Sequence, residues 1–293
     1  MWKGIDVSDN QGIIDWATVK AAGVQFAILR SVRRSGKADY QFTNNLAGCQ
    51  NNGMPVSVYK YTYAMTAAAA IVEARQVVSL LHENGLKGIK VWWDVEDKSL
   101  RRLSAGQLTQ CIIAAMHVIE TAGYKFGIYT GEYVIRENWF RYKDFVCPYW
   151  VARYPSKSDK LLEQLPNESL RPRVPMPLWG WQHTSKGRVP GINGYVDLNV
   201  CYQDPTEEKS VEDADVIYCV SIADVWDRSA AQAVAKAYPG CVVHRAQVLD
   251  VGGIVIWIAS VTDVWTETQA REALRQLKEM KVTGKIHNIR VIG

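Results

Sequence analysis

From residue 1 to about residue 202 the chain alternates between two hydrophobic periods. Short apolar runs rich in Val, Ile, Phe, Tyr and Trp recur at roughly 20- to 30-residue intervals. They lie at 4–7, 26–29, 56–61, 89–95, 126–129, 149–152, 177–182 and 195–199. Between several of them the apolar positions take helical spacing, as at 67–84 and 104–121. Eight strands interleaved with amphipathic helices predict an α/β fold, an eight-stranded (β/α) barrel. About 200 residues is short for eight full β/α units. The stretch after Tyr154 is rich in Pro and poor in helix signal, so the outer layer is expected to be irregular there.

The pattern changes beyond Tyr202. Gln203-Asp204-Pro205-Thr206-Glu207-Glu208-Lys209-Ser210 is polar and carries a Pro, as linkers do. The expected organisation is a barrel domain over 1–202, a linker over 203–213 and a small α+β domain over 214–293. In the last part, strands are expected at 216–222, 241–249, 254–261 and 286–292, and helices at 229–238 and 268–280. Ile217-Tyr218-Cys219-Val220-Ser221-Ile222-Ala223-Asp224-Val225-Trp226 aligns with Ile256-Trp257-Ile258-Ala259-Ser260-Val261-Thr262-Asp263-Val264-Trp265. Each copy leads into a helix, so the order is a doubled βαβ unit, βαββαβ. Such a unit is expected to form a four-stranded sheet with both helices on one face and the other face open to a partner or solvent.

Composition narrows the classes. With 48% hydrophobic and 22% charged residues, the 293-residue chain can bury a large core and is not disordered throughout. The net charge of +4 splits into +6 before residue 206 and −2 after it, and neither part carries a nucleic-acid footprint. The six cysteines lie far apart with no CxxC spacing, which reads as buried thiols and not as a disulfide scaffold. The five histidines form no HExxH or similarly spaced pair, so neither a metal nor another cofactor is expected. The opening MWKGIDVSDNQG lacks the apolar core of a secretory signal, and no run approaches a membrane span. The expectation is a chain made in the cytoplasm, without a signal peptide or an integral membrane segment, that acts outside the membrane only after release.

Val91-Trp92-Trp93-Asp94-Val95-Glu96 places two carboxylates at i and i+2 at the end of an apolar strand. Residues two apart on a strand share a face, with Cα atoms about 6.5 Å apart. At the C-terminal end of a barrel strand both would face the mouth where the βα loops meet. That spacing permits carboxyl separations near the ~5–5.5 Å of retaining glycosidases, while other rotamers leave room for a water. One acid must keep its proton to donate to a leaving oxygen while its neighbour stays ionised, and mutual repulsion separates the two pKa values in that way. Glu96 is the expected proton donor and Asp94 the ionised partner. Taken alone, a DxE at a strand end also suits a helix cap. Asp6 in Gly4-Ile5-Asp6-Val7-Ser8 and Asp197 in Gly194-Tyr195-Val196-Asp197-Leu198-Asn199 follow β-type residues and would project into the same mouth. Several acids converging on one rim point to a polar cleft.

Aromatic residues gather at the same strand ends: Trp92, Trp93, Trp150, Trp179 and Trp181, with Tyr59, Tyr61, Tyr63, Tyr129 and Tyr154. Aromatic faces cover the apolar faces of sugar rings, and Tyr hydroxyls and the Gln182 amide can bond sugar hydroxyl and acetamido groups. The set of Tyr61, Tyr63, Tyr129, Trp150, Tyr154, Trp181 and Gln182 is therefore expected to contact a glycan, although each aromatic taken singly also suits a core.

At this point the sequence resembles glycoside hydrolase family 25, the muramidases often called Chalaropsis-type lysozymes. The resemblance rests on Gly4-Ile5-Asp6-Val7-Ser8, Gln11-Gly12, Ile14-Asp15-Trp16, Val19, Gly23-Val24 and Phe26-Ala27-Ile28-Leu29-Arg30. It continues through Asp39, Phe42, Asn45 and Gly53-Met54-Pro55-Val56, then Trp93-Asp94-Val95-Glu96 and Trp150-Val151-Ala152-Arg153-Tyr154. Trp181-Gln182 and Val196-Asp197-Leu198-Asn199 close it, so that it covers about 1–202.

The resemblance implies an incomplete (β/α) barrel that cleaves the β-1,4 bond between N-acetylmuramic acid and N-acetylglucosamine, with bacterial peptidoglycan as partner. By position it implies Glu96 as general acid/base and Asp94 as either nucleophile or the carboxylate assisting the substrate acetamido group. Asp6 and Asp197 would support that pair, and Asn199 would help bind substrate. Two departures stand out: Lys60 where many members carry His, and Ser35-Gly36 where many carry Glu-Gly. The tail looks in topology like the peptidoglycan-binding SPOR fold, which implies a cell-wall anchor. A dimerisation module, giving a homo-oligomer through that domain, is the alternative. For the whole chain the expectation is an endolysin-like lysozyme, with a chitinase-like glycosidase or a catalytically silent glycan-binding protein as rivals.

Overall fold

The eight apolar runs close on themselves in the computed structural model, which describes residues 1–145, 147–205, 216–225, 228–237, 242–248, 254–264 and 285–291. Up to residue 201 the order is β1 (Trp2–Val7), α1 (Trp16–Ala21), β2 (Phe26–Arg30), α2 (Phe42–Asn51), β3 (Val56–Tyr61), α3 (Ala67–Glu83) and β4 (Lys90–Asp94). It continues α4 (Ala105–Thr121), β5 (Lys125–Gly131), α5 (Glu132–Arg136), β6 (Tyr149–Ala152), β7 (Lys160–Leu161), β8 (Leu178–Arg188) and β9 (Val196–Cys201). Strands β1 to β6 are parallel neighbours in sequence order, β6 pairs in parallel with β8, and β9 completes the ring between β8 and β1. The result is a closed eight-stranded barrel in a mixed α/β fold, with the two-residue β7 lying along β8.

The closure differs from a full set of β/α units, because β9 runs antiparallel to both of its neighbours. Its connection from β8 spans only residues 189–195. A parallel crossover needs a dozen or more residues, so a link of this length permits only an antiparallel return. Between β6 and β8, 153–177 hold only β7 and a single 3-10 turn, Glu168–Leu170, where the Pro-rich sequence implied an irregular layer.

The parallel part follows directly from local chemistry. Thr66 caps α3 by accepting from the Ala69 amide at 3.1 Å. Ala70, Ala74, Val77, Leu80 and Leu81 form its buried stripe. Gly85, at φ 66°, then ends the helix while the Leu86 amide reaches back to the Leu81 carbonyl at 3.0 Å. Inside the barrel, alternate strand residues meet. Phe26, Ile28, Trp92, Tyr129, Trp150, Trp179 and Cys201 form one buried cluster, with Trp2 and Tyr59 packed against it. Ring centroids lie 4.2 Å apart for Tyr129–Trp150 and 4.6 Å for Trp92–Trp179. Gly127 leaves the room this requires, since a Cβ there would fall 2.5 Å from the Trp92 ring. The middle of the barrel is therefore filled with aromatic rings, and the strand ends above them are left for polar groups.

The described residues fall into two compact units, and the barrel belongs to the first. In the tail the structure describes β10 (Val216–Val225), α6 (Arg228–Ala237), β11 (Val242–Val248), β12 (Ile254–Val264) and β13 (Lys285–Val291). Their antiparallel order is β13-β10-β12-β11, and β11 also pairs with β13 at three positions. These strands thus close into a ring, where the repeat had suggested an open sheet with one free face. Register shifts around Ser221 bend β10, and bulges of that kind increase twist and bring outer strands together. The helix expected at 268–280 and residues 206–213 of the expected linker lie outside the described residues. No helix among the described residues is long and apolar enough to cross a membrane.

Candidate active site

Strand parity decides which carboxyls meet. Along β4, Trp92 belongs to the interior cluster, so Asp94 projects inward two residues above it. Beyond the strand end the backbone remains paired, with the Val95 amide donating to the Tyr129 carbonyl at 2.9 Å. Glu96 therefore keeps the parity of Asp94 and stands one step nearer the opening. Asp94 is 3% exposed, whereas Glu96 is only partly buried. On the opposite wall Asp6 of β1 and Asp197 of β9 are direct partners in the antiparallel register. The four acids singled out in the sequence thus lie at one end of one barrel.

Asp6 is held by the best-developed polar network at the mouth. Its Oδ2 accepts from Gln182 Nε2 and from Asn199 Nδ2, both at 2.8 Å. The Tyr129 hydroxyl donates to Gln182 Oε1 at 2.8 Å, and the Tyr154 hydroxyl donates to the same oxygen. Trp150 Nε1 donates to Asn199 Oδ1 at 2.8 Å. This changes the part played by several residues expected to touch sugar. Trp150, Tyr129, Gln182 and Asn199 are buried, and the polar atoms just named are engaged with protein partners behind Asp6. Trp181 is fully buried on the opposite parity from Gln182, its indole N–H donating to the Arg153 carbonyl at 2.7 Å. Trp150 and the amide are drawn inside because the barrel interior needs bulk and Asp6 needs donors.

Tyr61, Tyr63 and Tyr154 do reach the surface of the mouth. The centroids of the first two rings lie 4.9 Å apart at a tilt of 39°, and the Tyr61 hydroxyl donates to Asp97 Oδ2 at 3.2 Å. Tyr133, absent from the sequence expectation, joins them: it is 38% exposed and lines a depression of about 240 Å³ together with Glu96 and Tyr154. Its signal was its place just after β5, in the first turn of α5 on the functional rim.

Burial raises the pKa of all four acids. Asp6 moves to about 6, with desolvation opposed by bonds from Asn199, Gln182 and Asp197. Glu96 moves to about 7, through burial and then the charges of Asp6 and Asp97. Asp197 is held well above the usual carboxylate range by burial and by Asp6 and Glu96. Asp94 is also pushed well up, by burial first and then by Glu96 and Asp6, with Lys60 pulling the other way. The sequence had suggested an ionised Asp94. The structure instead gives its Oδ1 no hydrogen-bond donor, while Asp6 has several, so negative charge settles more readily on Asp6.

Two further groups support the rim. Arg30, inward-facing at the end of β2, pairs with Asp39 at 2.6 Å and also with Asp9, fixing the loops after β1 and β2. Lys60, one of the two departures noted in the sequence, is buried, with its ammonium 3.7 Å from Glu73 of α3. Glu73 also accepts from the Thr62 hydroxyl at 2.6 Å and the Tyr63 amide at 3.1 Å, so this pair ties down the segment that presents Tyr61 and Tyr63. Among the described residues, no group of three or more His, Cys, Asp or Glu is arranged to hold a metal ion.

The family model for glycosyl hydrolases family 25 matches residues 5–192. Over 203 residues the chain is 30% identical to the uncharacterized protein YegX of Escherichia coli O157:H7, covering 67% of this chain and 68% of that protein. It is 27% identical over 223 residues to Lysozyme M1 of Streptomyces globisporus, covering 67% and 66%. Among solved structures, it is similar to the catalytic domain of endolysin ply40 from bacteriophage P40 of Listeria monocytogenes. That match has a TM-score of 0.57 and 27% identity, and covers 70% of this chain and 95% of the other.

Proposed function

The chain belongs to glycosyl hydrolases family 25 and is a glycoside hydrolase, and on that premise we propose that it cleaves the β-1,4 bond between N-acetylmuramic acid and N-acetylglucosamine in bacterial peptidoglycan. The observation that carries this reading is the set of four carboxyls at the barrel mouth, with Glu96 at their exposed edge and holding its proton to about 7. Similarity to a lysozyme and to an endolysin catalytic domain supports peptidoglycan as the glycan.

Glu96 gives its proton to the glycosidic oxygen as the bond to the anomeric carbon breaks and positive charge develops on the sugar ring. That charge lowers the pKa of Asp94, because an opposite charge nearby favours the ionised form. Asp94, its proton released to solvent, then acts as a carboxylate, either bonding to the anomeric carbon or steadying the acetamido group that does so. Glu96, now a carboxylate, takes a proton from the water that completes hydrolysis. Tyr61, Tyr63, Tyr133 and Tyr154 provide the faces along which the sugar rings lie, and Asp6 with Asp197 maintains the field.

The test is mass analysis of fragments released from purified peptidoglycan. New reducing ends on muramic acid are expected, and Glu96→Gln should abolish their release while cosedimentation with walls persists. Reducing ends on N-acetylglucosamine, or continued lysis by Glu96→Gln, would reject the assignment.

A further inference from the structure

A second depression adjoins the one beside Glu96. It has a volume of about 440 Å³ and is lined by Arg136, Arg153 and Arg173 among others. The depression at Glu96 shares Glu132, Arg136 and Arg153 with it, so the two are contiguous and lead outward from the proton donor. The balance of charge along this channel is positive. Glu132 is neutralised within it, accepting from Arg153 Nη1 at 3.1 Å and from the Arg173 amide at 3.0 Å. Arg136 and Arg173 are exposed, and among the described residues neither guanidinium is in an ion pair or a hydrogen bond. The mouth itself carries four acids, so a substrate drawn to this channel must present its negative charge away from the scissile bond.

We propose that the Arg136–Arg173 channel binds the carboxylates of the peptide stem carried on the muramic acid lactyl group. This rests on the peptidoglycan reading above and extends it to the part of the substrate that is not sugar. Guanidinium groups suit carboxylates because their planar N–H pairs can donate in parallel. A channel starting at Glu96 receives whatever branches from a sugar bound at that residue. The two cations also give substrate selection a salt-dependent component.

The experiment compares kcat/KM on glycan strands with intact stems and on the same strands stripped of stems by an amidase. The enzymes are the wild type and the Arg136→Gln/Arg173→Gln variant. The variant is expected to lose about fivefold to thirtyfold of the stem-bearing over stem-free preference, a change of about 1–2 kcal/mol, mainly through KM. The residual preference should be less sensitive to salt. Arg136→Lys/Arg173→Lys, which keeps the charge but not the planar N–H pairs, should fall between the wild type and the glutamine variant. Equal losses on both substrates, or an unchanged ratio in a variant with a wild-type melting curve, would overturn the proposal. A preference that vanishes when wall phosphodiesters are removed with hydrofluoric acid, stems remaining, would overturn the assignment to carboxylates. Wild-type enzyme that releases no reducing ends from either substrate would instead remove the underlying peptidoglycan reading.

Discussion

Asp6 and Asp197 face each other across the antiparallel β1–β9 pair, and Asp6, which accepts from Gln182 and Asn199, is the better placed of the two to carry charge. Asp197 is therefore the member that keeps the proton and can offer it to Asp6. Asp197→Ala should lower kcat/KM by about 10- to 100-fold, since a hydrogen bond to a charged group is worth about 1.5–3 kcal/mol. Asp197→Asn, which retains a donor, should lose much less. Steady-state kinetics on solubilised peptidoglycan compares the two, and equal losses would mean that a donor at this position is not what matters.

Glu96 sets an unusual relation between pH and stability. Its folded pKa of about 7 lies above the ordinary glutamate value of 4.5, so between those values the folded state binds more protons than the unfolded state. Stability from this group is full below about pH 4.5 and falls as pH rises through about 7, the reverse of a salt-bridged carboxylate. Glu96→Gln removes that loss. Urea unfolding should show the variant about 1–3 kcal/mol more stable than wild type at pH 8 and nearly equal to it at pH 4. A variant less stable than wild type at pH 8 would contradict the burial argument.

The same proton should appear in the kinetics. The alkaline limb of kcat/KM reports the free enzyme's acid and is expected near pH 7. The Asp97 charge helps raise Glu96, so Asp97→Asn should shift that limb to lower pH by a few tenths of a unit. A shift to higher pH would show that the limb belongs to another group.

Gln182 is the hub of the Asp6 network. In Gln182→Leu, Asp6 loses a donor, and the buried Tyr129 hydroxyl and the Tyr154 hydroxyl lose their acceptor. The expected cost is about 2–4 kcal/mol by chemical denaturation. Gln182→Glu keeps the acceptor but sets a carboxyl against Asp6, so its cost should be smaller at pH 5 than at pH 8. A loss independent of pH would place the damage in packing and not in charge.

The eight strand positions and the candidate acids were legible in the sequence because both depend on short-range rules. Period-two alternation put Trp92, Asp94 and Glu96 on one side of a chain, and the spacing of apolar runs counted the strands. The direction of β9 was also implicit, since residues 189–195 are too few for a crossover. What misled was the reading of Trp150, Trp181 and Gln182 as sugar contacts. Composition places aromatics and amides near strand ends but does not say on which side of the carboxylates they stand. Tyr133 and the Lys60–Glu73 clamp were missed because each takes its meaning from an element distant in sequence.

The sequence by itself determined a barrel, a set of acids at strand ends and membership of a carbohydrate-cleaving lineage, because periodicity and motif are written in neighbouring residues. Only the tertiary structure decided how the charge is shared. Asp94, Asp6 and Asp197 are chemically the same side chain, and they differ in how many donors the closed barrel brings to each. Asp6 receives Gln182 and Asn199 from the two strands that shut the ring, whereas the Asp94 Oδ1 receives none. Proton affinity depends on that through-space arrangement of donors, charges and excluded water, which no local pattern along the chain specifies.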